Sequence, residues 1–234
     1  MRPSLALVLS AALLVCAAPD LAADTDAPSG GHTVTVSGVV LRPPSDAPRP
    51  VPIERYREHK SGSTDTPPVA ATECNCDPGR YAVVYLTGEH LPRLHMPLQP
   101  PTMAQKDRTF APSVLAVPVG ATVEFPNLDP FFHNVFSYSK TKRFDLGRYP
   151  AGNSESVTFD KPGIVSIFCE IHYSMRAYVH VLNTPYFAVS DDERHFEIDD
   201  VEPGEYVLHV WQENLPEIQR PLSVRGEPLK LEVQ

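Results

Sequence analysis

The chain has 234 residues, with 20 Lys/Arg against 29 Asp/Glu and a net charge of −9 when histidines are neutral. No segment is strongly basic, so the composition argues against nucleic acid as a partner. Twenty-six prolines argue against a helical protein, because proline removes a helix hydrogen bond and clashes with the preceding turn. The expected fold class is all-β.

Residues 1–23 read as a signal peptide: Arg2 supplies the positive start, and Leu5 to Ala18 is an unbroken small and apolar run. The mature protein is therefore expected to be periplasmic or secreted. Val15 precedes Cys16 where a lipoprotein cysteine wants a small residue. No later segment approaches the roughly 20 apolar residues of a membrane span, so none is expected. Residues 24–31 read as a disordered start. His32 to Leu41 alternates like a strand. Residues 42–80 are rich in proline and polar residues and read as a long loop. That loop holds Cys74 and Cys76. Bridging residues two apart strains disulfide geometry, and two thiols without a nearby histidine make a thin metal site, so a structural or redox pair and a second metal site both stay open. Tyr81 to Leu86 reads as a second strand, and residues 87–102, with four prolines, as a linker.

Gly120 to Asn127 is a turn glycine leading a strand, followed by Pro130-Phe131-Phe132-His133-Asn134. Ile164 to Phe168 alternates as a strand that delivers Cys169 to the rim of a sheet. Cys169-Glu170-Ile171-His172-Tyr173-Ser174-Met175 places three potential donors in seven residues, which requires a tight loop, and Ala177 to Leu182 returns as a strand. The charge is uneven: residues 105–182 carry eight basic and seven acidic residues, whereas 183–234 carry four and twelve. Lys140, Lys142, Arg143 and Arg148 form a modest basic cluster, either a solvated loop or a patch that steers an acidic partner. Beyond residue 182, short strands recur around Tyr186 to Asp191, His195 to Ile198 and Val201 to Trp211, with a Pro203-Gly204 turn before Tyr206.

At His133, Cys169, His172 and Met175 the chain resembles the cupredoxins, such as plastocyanin, amicyanin and azurin. The short Cys-x2-His-x2-Met loop is similar to amicyanin's, and the resemblance covers about residues 103–182. It implies a Greek-key β-sandwich with one type 1 copper per chain. The two histidines and the thiolate would form a trigonal plane with Met175 as a long axial ligand. Asn134 stands where the family places an asparagine that ties the two ligand loops. One thiolate, two imidazoles and a thioether make a poor zinc set. Multicopper oxidases and copper nitrite reductases need additional His pairs, and no His-x-His occurs here. The flanks resemble the carboxypeptidase regulatory-like, transthyretin-like β-sandwich, with Arg194 where that family usually has glycine. Segments 32–88 and 183–234 would form this smaller sandwich, with the copper domain inserted; a tandem arrangement is the alternative. The combination resembles bacterial exported proteins loosely described as methylamine-utilisation or plastocyanin-like.

The resemblance implies an exported electron carrier, not an enzyme, that meets a redox partner protein. His172 would be the solvent edge, and Phe131, Phe132 and Tyr173 candidate rim residues. Two further readings stand beside it. One is copper handling, with His90, His95, Met96 and Met103 as transient ligands. The other is a cell-surface interaction module with a secondary copper site.

Overall fold

The computed structural model describes residues 32–41 and 80–234. The signal-peptide reading, the long loop and Cys74 and Cys76 lie outside the described residues. Sixteen strands are present among the described residues and no helix, so the protein is all-β.

Two sandwiches share the chain. The first uses β1 (Val34–Val40) and β2 (Ala82–Thr87), then β12 (Phe187–Val189), β13 (His195–Val201), β14 (Gly204–Gln212), β15 (Ile218–Val224) and β16 (Leu229–Val233). One of its sheets runs β13-β1-β16 and the other β12-β2-β14-β15. The central strand β1 and the interior strand β2 precede residue 104, whereas all their partners follow residue 186. Period-two burial explains the pairing: Val34, Val36 and Val40, with Phe196, Ile198, Val201 and Val233 of the same sheet, share one apolar cluster with Leu208 and Val210 of the other. Gly38 is needed where β1 runs beside β16, because a Cβ there would collide with the Leu231 carbonyl and the Phe196 ring. Arg194 adopts φ = 70°, a left-handed conformation that glycine would take at lower cost, and its carbonyl still accepts the Val40 N–H at 3.0 Å.

The second sandwich lies between these segments. Its larger sheet contains β5 (Val114–Pro118), β7 (His133–Tyr138), β8 (Arg143–Tyr149), β10 (Gly163–Phe168) and β11 (Arg176–Leu182), in the order β5-β11-β10-β7-β8. Facing it are β6 (Thr122–Pro126) paired with β9 (Ser154–Thr158), and the hairpin of β3 (Ala104–Lys106) and β4 (Thr109–Ala111), which bridges to β6 through Gln105 and Asn127. Phe125, Phe159, Val135, Val165, Ile167 and Val179 fill the layer between them. Met103 is fully buried in this layer, which removes it from the transient ligands expected of the linker. His90, His95 and Met96 are exposed.

The sandwiches meet along a third apolar cluster in which Val83 and Trp211 of the first pack on Val114 and Leu182 of the second. His180 on β11 projects into this seam, 5% exposed, with Tyr85 at 5.4 Å and Trp211 at 5.5 Å between ring centroids. Its Nδ1 has no hydrogen-bond partner. Burial, the largest influence, pushes the His180 pKa down to about 4; Glu217 opposes this and His209 adds to it. The folded value thus lies below the unfolded one of about 6.5. The seam's contribution to stability is present above pH 6.5 and is lost as the pH falls toward 4, by up to about 3 kcal/mol. Trp211 is the chain's one tryptophan, so its emission reports on this seam. We predict that the denaturation midpoint read by Trp211 falls between pH 6.5 and pH 4, and that His180→Phe flattens that dependence.

Candidate metal centre

His133 opens β7, Cys169 directly follows β10, and His172 lies in the loop that returns to β11. Strands β10 and β7 are hydrogen-bonded neighbours, so two of the donors sit at adjacent strand ends and the third three residues further on. The loop closes tightly, with the Met175 N–H donating to the His172 carbonyl at 2.9 Å. The His133 and His172 Nδ1 atoms are 3.0 Å apart, and Cys169 Sγ is 3.8 Å from His133 Nδ1. All three donor atoms lie within 4.8 Å of one another. His133 and Cys169 are buried and His172 is partly exposed. Met175 is 1% exposed and packs in the same core.

The β7/β8 ladder slips between Asn134 and Phe136, opposite Gly147 at φ = 69°. Such a bulge re-aims the side chains beside it. It lets His133 turn inward while Asn134, 1% exposed, reaches across to Cys169's loop. Asn134 Oδ1 accepts the Glu170 N–H at 2.8 Å, and Asn134 Nδ2 donates to Asp145 at 3.0 Å.

Asp129, which sequence reasoning did not single out, governs the other imidazole nitrogen. Its carboxylate lies 2.8 Å from His133 Nε2 and accepts the backbone N–H groups of Asp107 at 2.7 Å and Arg108 at 2.9 Å. Asp107 and Arg108 form the two-residue turn between β3 and β4, at φ = 54° and 57°, the geometry of a type I′ hairpin. Burial alone would raise the Asp129 pKa. The hydrogen bonds from Arg108, His133 and Asp107 outweigh it, and the carboxyl is held below its ordinary value. An ionised carboxylate only accepts, so neutral His133 keeps its hydrogen on Nε2 and presents a bare Nδ1. His172 Nδ1 then supplies the hydrogen between the two rings. The His172 pKa is lowered chiefly by burial, then by His133 and Arg108, against an upward pull from Asp129. The only signal for Asp129 was an acid four residues before a candidate ligand.

The donor set fits one metal ion. Two imidazole nitrogens bonded at about 2.0 Å each stand roughly 3 Å apart, and a thiolate at about 2.3 Å stands roughly 3.5–4 Å from either. The ion would take the place of the hydrogen between the two Nδ1 atoms, and its binding would release the Cys169 proton.

Around the site, Phe131 lies 5.1 Å from the His133 ring and 5.4 Å from the His172 ring. Phe132, Leu128 and Tyr173, next in sequence to His133, Asp129 and His172, are 54%, 60% and 78% exposed. The basic cluster is largely spoken for. Lys142 pairs with Asp160, Arg148 pairs with Glu170, and Arg143 stacks on Tyr138.

No protein-family model and no curated protein matches the chain. Among solved structures it is similar to a reduced Cu(I) form of an amicyanin variant, at 21% identity over 42% of this chain and 98% of that one, with a TM-score of 0.35. It is also similar to a purple cupredoxin from Nitrosopumilus maritimus, at 22% identity over 35% and 99%, TM-score 0.32. The copper-containing nitrite reductase from Thermus scotoductus SA-01 aligns at 30% identity over 36% of this chain, TM-score 0.35. The chain spans 22% of that reductase's length.

Asn134 offers a test of the tie between the two ligand segments. Asn134→Ala leaves the Glu170 N–H without its acceptor, at a cost of about 1–3 kcal/mol. Hydrogen exchange at the Glu170 amide should accelerate accordingly, with the amides of β6 unchanged.

Proposed function

We propose that the chain is an exported type 1 copper protein of the cupredoxin kind that carries single electrons between protein partners. One observation carries this reading: His133 Nδ1, Cys169 Sγ and His172 Nδ1 converge at one end of a sandwich with their orientations already fixed. Two imidazoles and a thiolate with a nearby thioether form a copper-selective set. Bound copper supplies a one-electron couple at this point.

The chain's own residues provide the rest. Asp129 holds His133 in the tautomer that ligates. Asn134 holds the Cys169 loop against β7. Met175, buried at the end of the loop, would offer its thioether as the fourth donor. Because these ligands are constrained by strands and not by the metal, little reorganisation accompanies a change of charge. His172 is the partly exposed ligand and so the natural point of electron entry and exit. Exposed Leu128, Phe132 and Tyr173 give a redox partner apolar surface from which water is excluded on docking.

The first sandwich we propose to be transthyretin-like. Its support is the Pro203-Gly204 turn and the Tyr206 hydroxyl donating to the Glu202 carbonyl at 2.9 Å, which staples the entry to β14. The copper-handling alternative loses Met103 to the core.

Reconstitution with Cu(II) tests the proposal. The intact protein should bind one copper and show an intense visible thiolate-to-copper band. Cys169→Ser should abolish the band without unfolding the chain, and Met175→Leu should retain the metal but shift the reduction potential. A colourless Cu(II) complex of the intact protein would contradict the assignment.

A further inference from the structure

The hairpin turn that clips to Asp129 also delivers a cation. The Arg108 guanidinium carbon stands 5.0 Å from the centroid of Phe131. Phe131 in turn lies against both ligand imidazoles. No described carboxylate forms an ion pair with Arg108. Its position is nevertheless determined from two sides. The Arg108 backbone N–H is bound to Asp129, and its side chain lies on the face of an aromatic ring, a favourable place for a planar cation. Phe131 touches the guanidinium as well as both imidazoles, and contact through an apolar ring screens a charge less than bulk water does.

We propose that Arg108 is a tuning residue of the metal centre: its charge, held beside the two histidines by the Phe131 ring and the Asp129 clip, favours the reduced site over the oxidised one. The proposal rests on the copper reading above. Adding one electron lowers the net charge of the site by one, so a fixed neighbouring cation disfavours the oxidised form more than the reduced form. Asp129, against His133 Nε2, acts in the opposite sense, and the two charges together set the poise. The hairpin β3–β4, outside the five-stranded sheet that carries the ligands, thereby becomes part of the redox site.

The test uses the full chain, metal-free and copper-loaded. In the metal-free protein, the Arg108 side-chain protons should show an upfield ring-current shift that Phe131→Leu removes. In the loaded protein, Arg108→Gln should lower the Cu(I):Cu(II) ratio at a fixed poise by roughly two- to tenfold. The visible band and EPR signature should not change. The effect should shrink as salt is raised, because Arg108 is exposed, and Arg108→Lys should restore part of it. Arg143→Gln is the control: Arg143 stacks on Tyr138 at 5.1 Å, at the opposite end of the β7/β8 ladder from His133, and should leave the ratio unchanged. A loaded Arg108→Gln protein with an unaltered ratio overturns the tuning role, as does a metal-free chain without the ring-current shift. Failure of the intact chain to form the thiolate-copper band overturns the copper reading itself, a result distinct from either.

Discussion

Asp129 carries a negative charge at a position only 4% exposed to water, and it keeps that charge because three N–H groups converge on it. Two come from the backbone of a tight turn and the third from the His133 ring. A buried carboxylate without such donors would take up a proton instead. With them it is a fixed acceptor, and a fixed acceptor dictates which nitrogen of His133 is bare. The metal-binding geometry, the attachment of the β3–β4 hairpin and the placement of Arg108 all follow from this one group. Asn127 secures it further, accepting the Asp129 N–H at 3.0 Å and donating to the carbonyls of Phe131 and Tyr149. The loop from Asn127 to His133 is therefore set by buried hydrogen bonds as much as by packing.

The other ligand segment is held by different means. Cys169 and His172 sit on a loop anchored by β10 on one side and β11 on the other, six residue pairs in antiparallel register. Strand β11 is in turn gripped on its outer face by the first sandwich, through Leu182, Tyr178 and His180. Glu213 ties the same strand to β14's end through the Tyr178 hydroxyl at 3.0 Å and Arg176 at 2.5 Å. The first sandwich thus braces the strand that emerges from the metal loop, a physical reason for joining the two folds so closely.

Much of this was legible in the sequence. The strands around His133 and Cys169 follow from alternating apolar residues, and the structure moves their ends by about a residue, as with Gly163–Phe168 in place of Ile164 to Phe168. The Cys169-His172-Met175 loop was legible because three donors in seven residues can be served only by a tight loop, whereas His133, far upstream, was joined to it by the family resemblance. The β3–β4 hairpin was not, because its turn is Asp107-Arg108 without the glycine or asparagine that usually marks left-handed positions. Its conformation is sustained by a distant carboxylate, which local sequence cannot reveal. Asp129 was hidden for the same reason, since its role depends on donors more than twenty residues away. The pairing of Lys142 and Arg148 with Asp160 and Glu170 likewise depends on register across β-strands, so the basic cluster looked freer in sequence than it is in space.

The central claim is that one thiolate and two imidazoles bind one metal ion in a geometry the chain has already imposed. Copper K-edge X-ray absorption on the loaded protein measures this directly. The account predicts one short sulfur scatterer and two imidazole nitrogens, with little change in distances between the oxidised and reduced forms. A first shell of nitrogen and oxygen without sulfur, or bond lengths that rearrange on reduction, would contradict it.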